Sequence, residues 1–216
     1  MSLVCEVWYH ESMTPASRPD RHMLFDFAHL RRGAFTLADA RAAGYSRELV
    51  HYHAKAGDFV PVGRGVYRLV DYPNSPEDRL ADVAAVFGSQ AVISHESALS
   101  LYEVSDVIAR GIHVTIPREK RHVRNPFPDV VLHTSKEAID TRDVVDHHGF
   151  RATSLARSIA ESARFGTDPK LIRQAIRHGL QREILDLNDL RRNLAGQSRR
   201  VCDAVAAALD VKEATM

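Results

Sequence analysis

Cysteine is almost missing from this chain. Only Cys5 and Cys202 occur in 216 residues, near opposite ends. Neither a disulfide framework nor a CxxC metal pattern can be built from them, which suits a reducing compartment. Long apolar runs are missing too: no stretch approaches the ~18 consecutive apolar residues of a membrane span. The start, Met1 to Trp8, has neither the basic region nor the long apolar core of a secretory signal. Charge excess is also lacking, with 29 Lys+Arg against 28 Asp+Glu and a net charge of +1. Any nucleic-acid surface must therefore be local, not global. The expectation is a cytoplasmic protein with no membrane partner.

Signatures of catalysis and cofactor binding are equally scarce. There is no Walker A, GxGxxG or HExxH, and no Cys/His ligand spacing. The 12 histidines invite a metal reading. His51 and His53, however, point to different sides of a helix, and His147-His148 sit in a turn with no third ligand nearby. No metal site and no cofactor are expected. His95-Glu96-Ser97 has catalytic residue types, but no GxSxG elbow surrounds Ser97. Helix capping by Ser94, with Ser97 in the first turn, is the expectation. No D…ExK-like carboxylate cluster lies beside a strand, so an enzyme is not expected.

What is present is average in bulk: 44% hydrophobic and 26% charged residues, enough for one large domain or two small ones. Arginine far outnumbers lysine. It suits bidentate phosphate and guanine contacts, and it equally suits a GC-rich genome.

Organisation centres on Gly33 to Val70. Thr36 is a candidate N-cap for a short helix that Gly44 ends, since glycine takes the left-handed position after a helix without steric cost. Ser46 caps a second helix, Arg47 to Ala56, closed by Gly57. Two β-branched and aromatic segments follow, Phe59–Val62 and Val66–Leu69, around the turn Gly63-Arg64-Gly65. Helix, turn, helix and basic-tipped hairpin make the layout of a winged helix-turn-helix, which lays its second helix in the major groove. Asp20 to Arg32 supplies the first helix of that unit. Residues 1–19 read as a tail. The Pro-, Asn- and Ser-containing stretch after Leu69 marks a boundary, giving domains 20–72 and 73–216.

In the second part Ser75 and Pro76 start a helix running to Phe87, and Ala91–Ile93 is a strand or the approach to a helix around Glu96–Tyr102. Gly111–Pro117 and Asp129–Thr134 are the clear strands, with Val144-Val145 and Gly149–Ala152 as partners for them. Helices follow from Thr153 to Gly166, from Asp168 through Leu180, at Leu187–Leu194 and at Val201–Leu209. The fold class expected is α+β: a winged helix, then a mixed α/β domain with a helical end.

The recognition helix should turn Leu49, Val50 and Ala54 inward and expose Arg47, His51, His53 and Lys55, with Ser46 at its start. These types reach base edges and phosphates, although a solvated polar face would look the same. Arg64 at the wing tip and Arg68 on its return strand suit minor-groove or phosphate contact, or mere solubility. Tyr67 could offer its hydroxyl to phosphate or pack in the core. Arg118, Lys120, Arg121 and Arg124 form a basic loop. With Arg173, Arg177, Arg191, Arg192, Arg199 and Arg200 they are a second nucleic-acid surface or scattered surface arginine.

Two groups of segments carry a resemblance. One is F-T-L-A-D-A (35–40), G-Y-S-R-E-L-V (44–50) and A-G-D-F-V-P-V-G-R-G-V-Y-R-L (56–69). The other is I-S-H-E-S-A-L-S-L-Y-E-V (93–104), I-H-V-T-I-P (112–117) and A-T-S-L-A-R-S-I-A-E (152–161). In this order they resemble the AbiEi-type antitoxins of type IV toxin–antitoxin pairs. The resemblance implies a bacterial transcriptional autorepressor whose winged helix binds operator repeats in double-stranded DNA upstream of its own operon. It implies a C-terminal α/β domain tied to antitoxin activity and to cooperative binding, and a nucleotidyltransferase-like toxin as the partner. The alternative is a protein-interaction module that neutralises such a toxin by direct binding. Related proteins continue into a nuclease-like domain with acidic metal ligands. This sequence ends at Met216 without that extension, so nuclease activity is not expected.

Overall fold

A computed structural model describes residues 18–209. The tail assigned to 1–19, with Cys5, Trp8 and Tyr9, therefore lies outside the described residues except for its last two.

The first part comprises α1 (Arg21–His29), β1 (Ala34–Thr36), α2 (Leu37–Ala42), α3 (Arg47–Ala56), β2 (Phe59–Gly63) and β3 (Val66–Leu69). The local chemistry follows the sequence. Thr36 Oγ1 accepts from Asp39 N at 3.2 Å while the Asp39 carboxylate accepts from Thr36 N at 2.8 Å, a reciprocal cap. Ser46 Oγ accepts from Leu49 N at 3.2 Å, and Gly57, at φ +89°, ends α3. Strand β1 is an addition to the sequence expectation. Three residues are too few to display a period, yet they pair antiparallel with β3, Phe35 opposite Tyr67, and set the sheet order β1-β3-β2. Leu24, Ala28, Phe35, Val50, Phe59 and Leu69 fill the core between sheet and helices. Phe35 and Phe59 meet edge to face at 5.0 Å. Full burial of one such ring contributes about 3 kcal/mol.

The second part holds α4 (Asp78–Phe87), β4 (Val92–Ile93), α5 (His95–Leu101), β5 (Ile112–Pro117), β6 (Val130–Ser135), β7 (Val144–Asp146), β8 (Arg151–Thr153), α6 (Leu155–Phe165), α7 (Pro169–Gln181), α8 (Leu187–Leu194) and α9 (Arg199–Leu209). The α+β expectation is met. The five-stranded sheet has the order β6-β5-β4-β8-β7. It is mixed: β5–β6 and β4–β8 are parallel, β4–β5 and β7–β8 antiparallel. The segments at 144–146 and 151–153 thus pair with each other and with β4, not with β5 or β6 as expected. One face of the sheet packs on α4 through Val114, Ile116, Ala84 and Phe87. A separate helical core joins α5 to α9 around Leu99, Ile159, Ile172, Ile176 and Leu190.

The helix expected from Ser75 starts later, at Asp78, with Glu77 at the cap. Ser75 instead forms a turn, its N and Oγ both donating to the Asp78 carboxylate at 2.9 and 2.8 Å.

The expected 72/73 boundary is bridged by side chains. Arg32 binds Ser75 Oγ at 2.9 Å and Glu77 at 2.5 Å. A β-carbon on Gly63 would stand 2.6 Å from Val86, so the β2–β3 hairpin rests directly on α4.

Candidate nucleic-acid interface and a buried histidine cluster

Helix α3 presents the polar face expected of it. Val50 is buried, and Leu49 and Ala54 pack against the same core. Ser46, Arg47, His51 and Lys55 are exposed, and among the described residues Arg47 and Lys55 have no ion-pair partner. Positions 47, 51 and 55 stack one turn apart on a single stripe. Arg64, exposed at the tip of the β2–β3 hairpin, is likewise unpaired among the described residues. Gly65 beside it sits at φ +73°, which a tight turn gets from glycine at little steric cost.

Three of the residues expected to meet DNA are engaged elsewhere. His53 is held by Asp58 at 2.8 Å and flanked by the Tyr45 and Phe59 rings. Its place, one turn before the end of α3, lets it pin the helix to the start of β2. Tyr67 is buried and stacks on Phe35. Arg68 is the most fully engaged of the three. Its side chain is 12% exposed and donates to Asp82 at 2.6 Å, to Arg32 O at 2.5 Å and to Asp78 O at 3.2 Å. Arg64 lies in the turn between β2 and β3 and faces solvent, whereas Arg68 on β3 is turned onto α4, where two carboxylates neutralise it.

Other residues join the exposed face without any sequence expectation. Tyr52 is 65% exposed beside His51. Glu48 lies in the first turn of α3, where its own amide and Ser46 hold its carboxyl below the usual range. Arg41, in the last turn of α2, lines a small cleft with Leu37, Tyr45 and Arg47. The helical wheel already contains Tyr52 and Glu48, but apolar and acidic types do not stand out among basic residues.

The basic loop Arg118–Arg124 follows β5 and is largely exposed. Lys120 Nζ stands 3.9 Å from where a β-carbon on Gly88 would be, at the end of α4 whose Val86 supports the β2–β3 hairpin. Of the helical arginines, Arg192 is bound by Asp143 at 2.7 Å and also by Asp189. Arg199 lies 3.9 Å from Asp203.

In the second part the structure assembles what spacing did not reveal. His95, His113 and His133 each offer a ligand atom, and these atoms lie within 4.8 Å of one another. The strand register accounts for two of them. Thr115 is opposite His133 and His113 opposite Val131, so His113, Thr115 and His133 share one sheet face. His95, the first residue of α5, covers that face. Its ring stacks on His133 with centroids 3.7 Å apart. Its φ of +52° is left-handed, costly for a residue with a β-carbon. His113 Nδ1 is 3.0 Å from His133 Nε2, and His95 Nδ1 is 2.9 Å from Ser94 Oγ.

Ser94 stands at the N-cap of α5 and Ser97 in its first turn, as expected, but their hydroxyls bond elsewhere. Ser94 makes no side-chain cap; its hydroxyl accepts from Thr115 at 2.9 Å and meets His95. Ser97 Oγ donates to Gly111 O at 3.0 Å and accepts from His113 N at 2.9 Å, tying α5 to β5.

Burial pushes His95 down to about 2, with His133 and His113 adding to the effect. Burial and then His113 bring His133 to about 4, and burial lowers His113 as well. All three rings are therefore neutral near pH 7. A cleft of about 290 Å³ opens on them, lined by His95, His133, Arg157, Glu161, Arg164 and Phe165. Burial raises the Glu161 carboxyl, opposed by Arg157, which binds it at 2.7 Å.

Comparison with known proteins adds two findings. Residues 22–70 match the family described as transcriptional regulator, AbiEi antitoxin, so that segment carries the signature the motifs suggested. Among solved structures, the crystal structure of RV2827C protein from Mycobacterium tuberculosis is similar at a TM-score of 0.59 and 16% identity. The match covers 90% of this chain and 78% of that one, a likeness of fold. No curated protein matches the chain. No helix among the described residues is long and apolar enough to cross a membrane.

Proposed function

We propose that this chain is a DNA-binding antitoxin that represses its own operon, with α3 in the major groove of an operator and the wing on the adjacent backbone. The observation that carries this reading is the exposed stripe of Arg47, His51 and Lys55, unpaired among the described residues and capped by Ser46, inside the segment that matches a regulator family. Arg47 and His51 lie towards the N-terminal end of α3, where base contacts begin in helix-turn-helix complexes. Arg64 grips phosphate beside them, and Arg41 on α2 adds a backbone contact. The Arg118, Lys120, Arg121 and Arg124 loop extends the basic surface past the wing. The partner implied by the family is a nucleotidyltransferase-like toxin encoded in the same operon.

Fluorescence anisotropy with the chain's own upstream DNA and with random DNA tests this. Specific binding should exceed non-specific binding by about a thousandfold or more. Equal affinity for both, unaltered by Arg47→Ala with Arg64→Ala, would overturn the reading.

A further inference from the structure

Three imidazoles from three separate elements, those of His95 and His113 buried and that of His133 half-buried, face one another across less than 5 Å, and nothing in the DNA reading uses them. The ring nitrogens His113 Nδ1 and His133 Nε2 face each other at 3.0 Å, and His95 Nδ1 meets Ser94 Oγ at 2.9 Å. The rings are fixed from behind. Ser94 holds His95, Thr115 holds Ser94, and Ser97 holds the backbone of His113. Hydroxyls that orient imidazoles in this way are what a ligand set requires around it. Phe165 stands edge-on to all three rings at 4.8–5.8 Å and forms an apolar wall.

We propose that His95, His113 and His133 bind one divalent transition-metal ion of the zinc class, with the remaining coordination position facing the cleft lined by Glu161 and Arg164. The donor set selects the metal. Imidazole nitrogens suit zinc and its neighbours, whereas calcium and magnesium take oxygen ligands. A tetrahedral zinc with Zn–N of about 2.0–2.1 Å sets its ligand nitrogens about 3.3 Å apart. The His113–His133 separation of 3.0 Å is already close to this. Binding would bring the outermost pair, within 4.8 Å here, closer by up to about 1.5 Å. Three protein ligands with one open position is the stoichiometry of a zinc site that accepts an exogenous group. Glu161, 3.8 Å from His95 Nδ1, is placed either to close that position or to receive a proton from a bound water. Arg164, exposed at the rim, favours an anionic ligand there.

The full-length chain, stripped with a chelator, is titrated with Co(II) and then with Zn(II). One equivalent of Co(II) should give visible ligand-field absorption that zinc abolishes, and zinc should raise the melting temperature. His133→Ala should weaken binding by about tenfold or more, while His148→Asn leaves it unchanged. No stoichiometric spectrum overturns the proposal, and so does one that persists in His133→Ala and His95→Ala. Should those variants fail to fold, imidazole NMR of the wild-type chain decides: His95, His113 and His133 resonances should move on zinc addition, and unmoved resonances refute the site.

Discussion

Arg68 Nη2 lies 2.6 Å from Asp82 Oδ1, joining the return strand of the β2–β3 hairpin to α4. Both side chains are nearly buried, and Asp78 is a second acidic neighbour 3.2 Å away. Removing the arginine leaves two uncompensated carboxylates between the sheet and the helix. Arg68→Ala should cost about 3 kcal/mol of stability, measured by urea denaturation. Operator affinity of the folded variant should stay within a factor of about two. A large drop in affinity with unchanged stability would return Arg68 to the residues that meet DNA.

Arg64 and Arg47 should behave in the opposite way. Both are exposed and unpaired among the described residues, so alanine substitution should change stability by less than about 0.5 kcal/mol. If either arginine neutralises a phosphate, its removal should lower the slope of log K against log salt by about 1. Anisotropy titrations at several salt concentrations read this directly, and an unchanged slope for Arg64→Ala would exclude the wing from the DNA backbone.

Ser97→Ala should destabilise the chain by about 1–3 kcal/mol, because its hydroxyl serves both Gly111 O and the amide of His113, and both would be left buried without that partner. Loss of amide-exchange protection at His113, read by NMR, should accompany it. A simple helix-capping serine would leave that amide unaffected.

Gly33→Ala should cost more than about 1 kcal/mol. Gly33 has φ +93°, and a β-carbon there would stand 2.6 Å from the Tyr72 ring. Thermal denaturation checks this, with Gly57→Ala as the comparison. Gly57 also has positive φ but no heavy atom within 4 Å of the added carbon, so it should suffer only the backbone strain.

The local events of the first part were legible in the sequence. Thr36 and Ser46 cap, Gly57 terminates and Val50 turns inward, because each depends on neighbours within about one helical turn. The helices of the second part were legible for the same reason. Pairing was not. The partners of β7 and β8 and the existence of β1 depend on which distant strand offers an edge, and a three-residue strand has no period of its own. The roles of Arg68 and Arg64 were also indistinguishable in the chain, since both are arginines at a hairpin. Only the packing of the hairpin on α4 separates a buried counter-ion from an exposed cation.

The sequence by itself determined the α+β class, the helix–turn–helix–hairpin order and the exposed stripe of α3, through capping chemistry and hydrophobic periodicity. It also carries a subtler signal: His113 and Thr115 alternate with Val114 and Ile116 in a strand, and both polar residues are buried. Tertiary structure decided what covers that face. The parallel register of β5 with β6 and the turn into α5 bring His133 and His95 to His113 from distant points in the chain. Imidazoles so far apart converge only after the sheet is assembled, so no motif spacing could announce them.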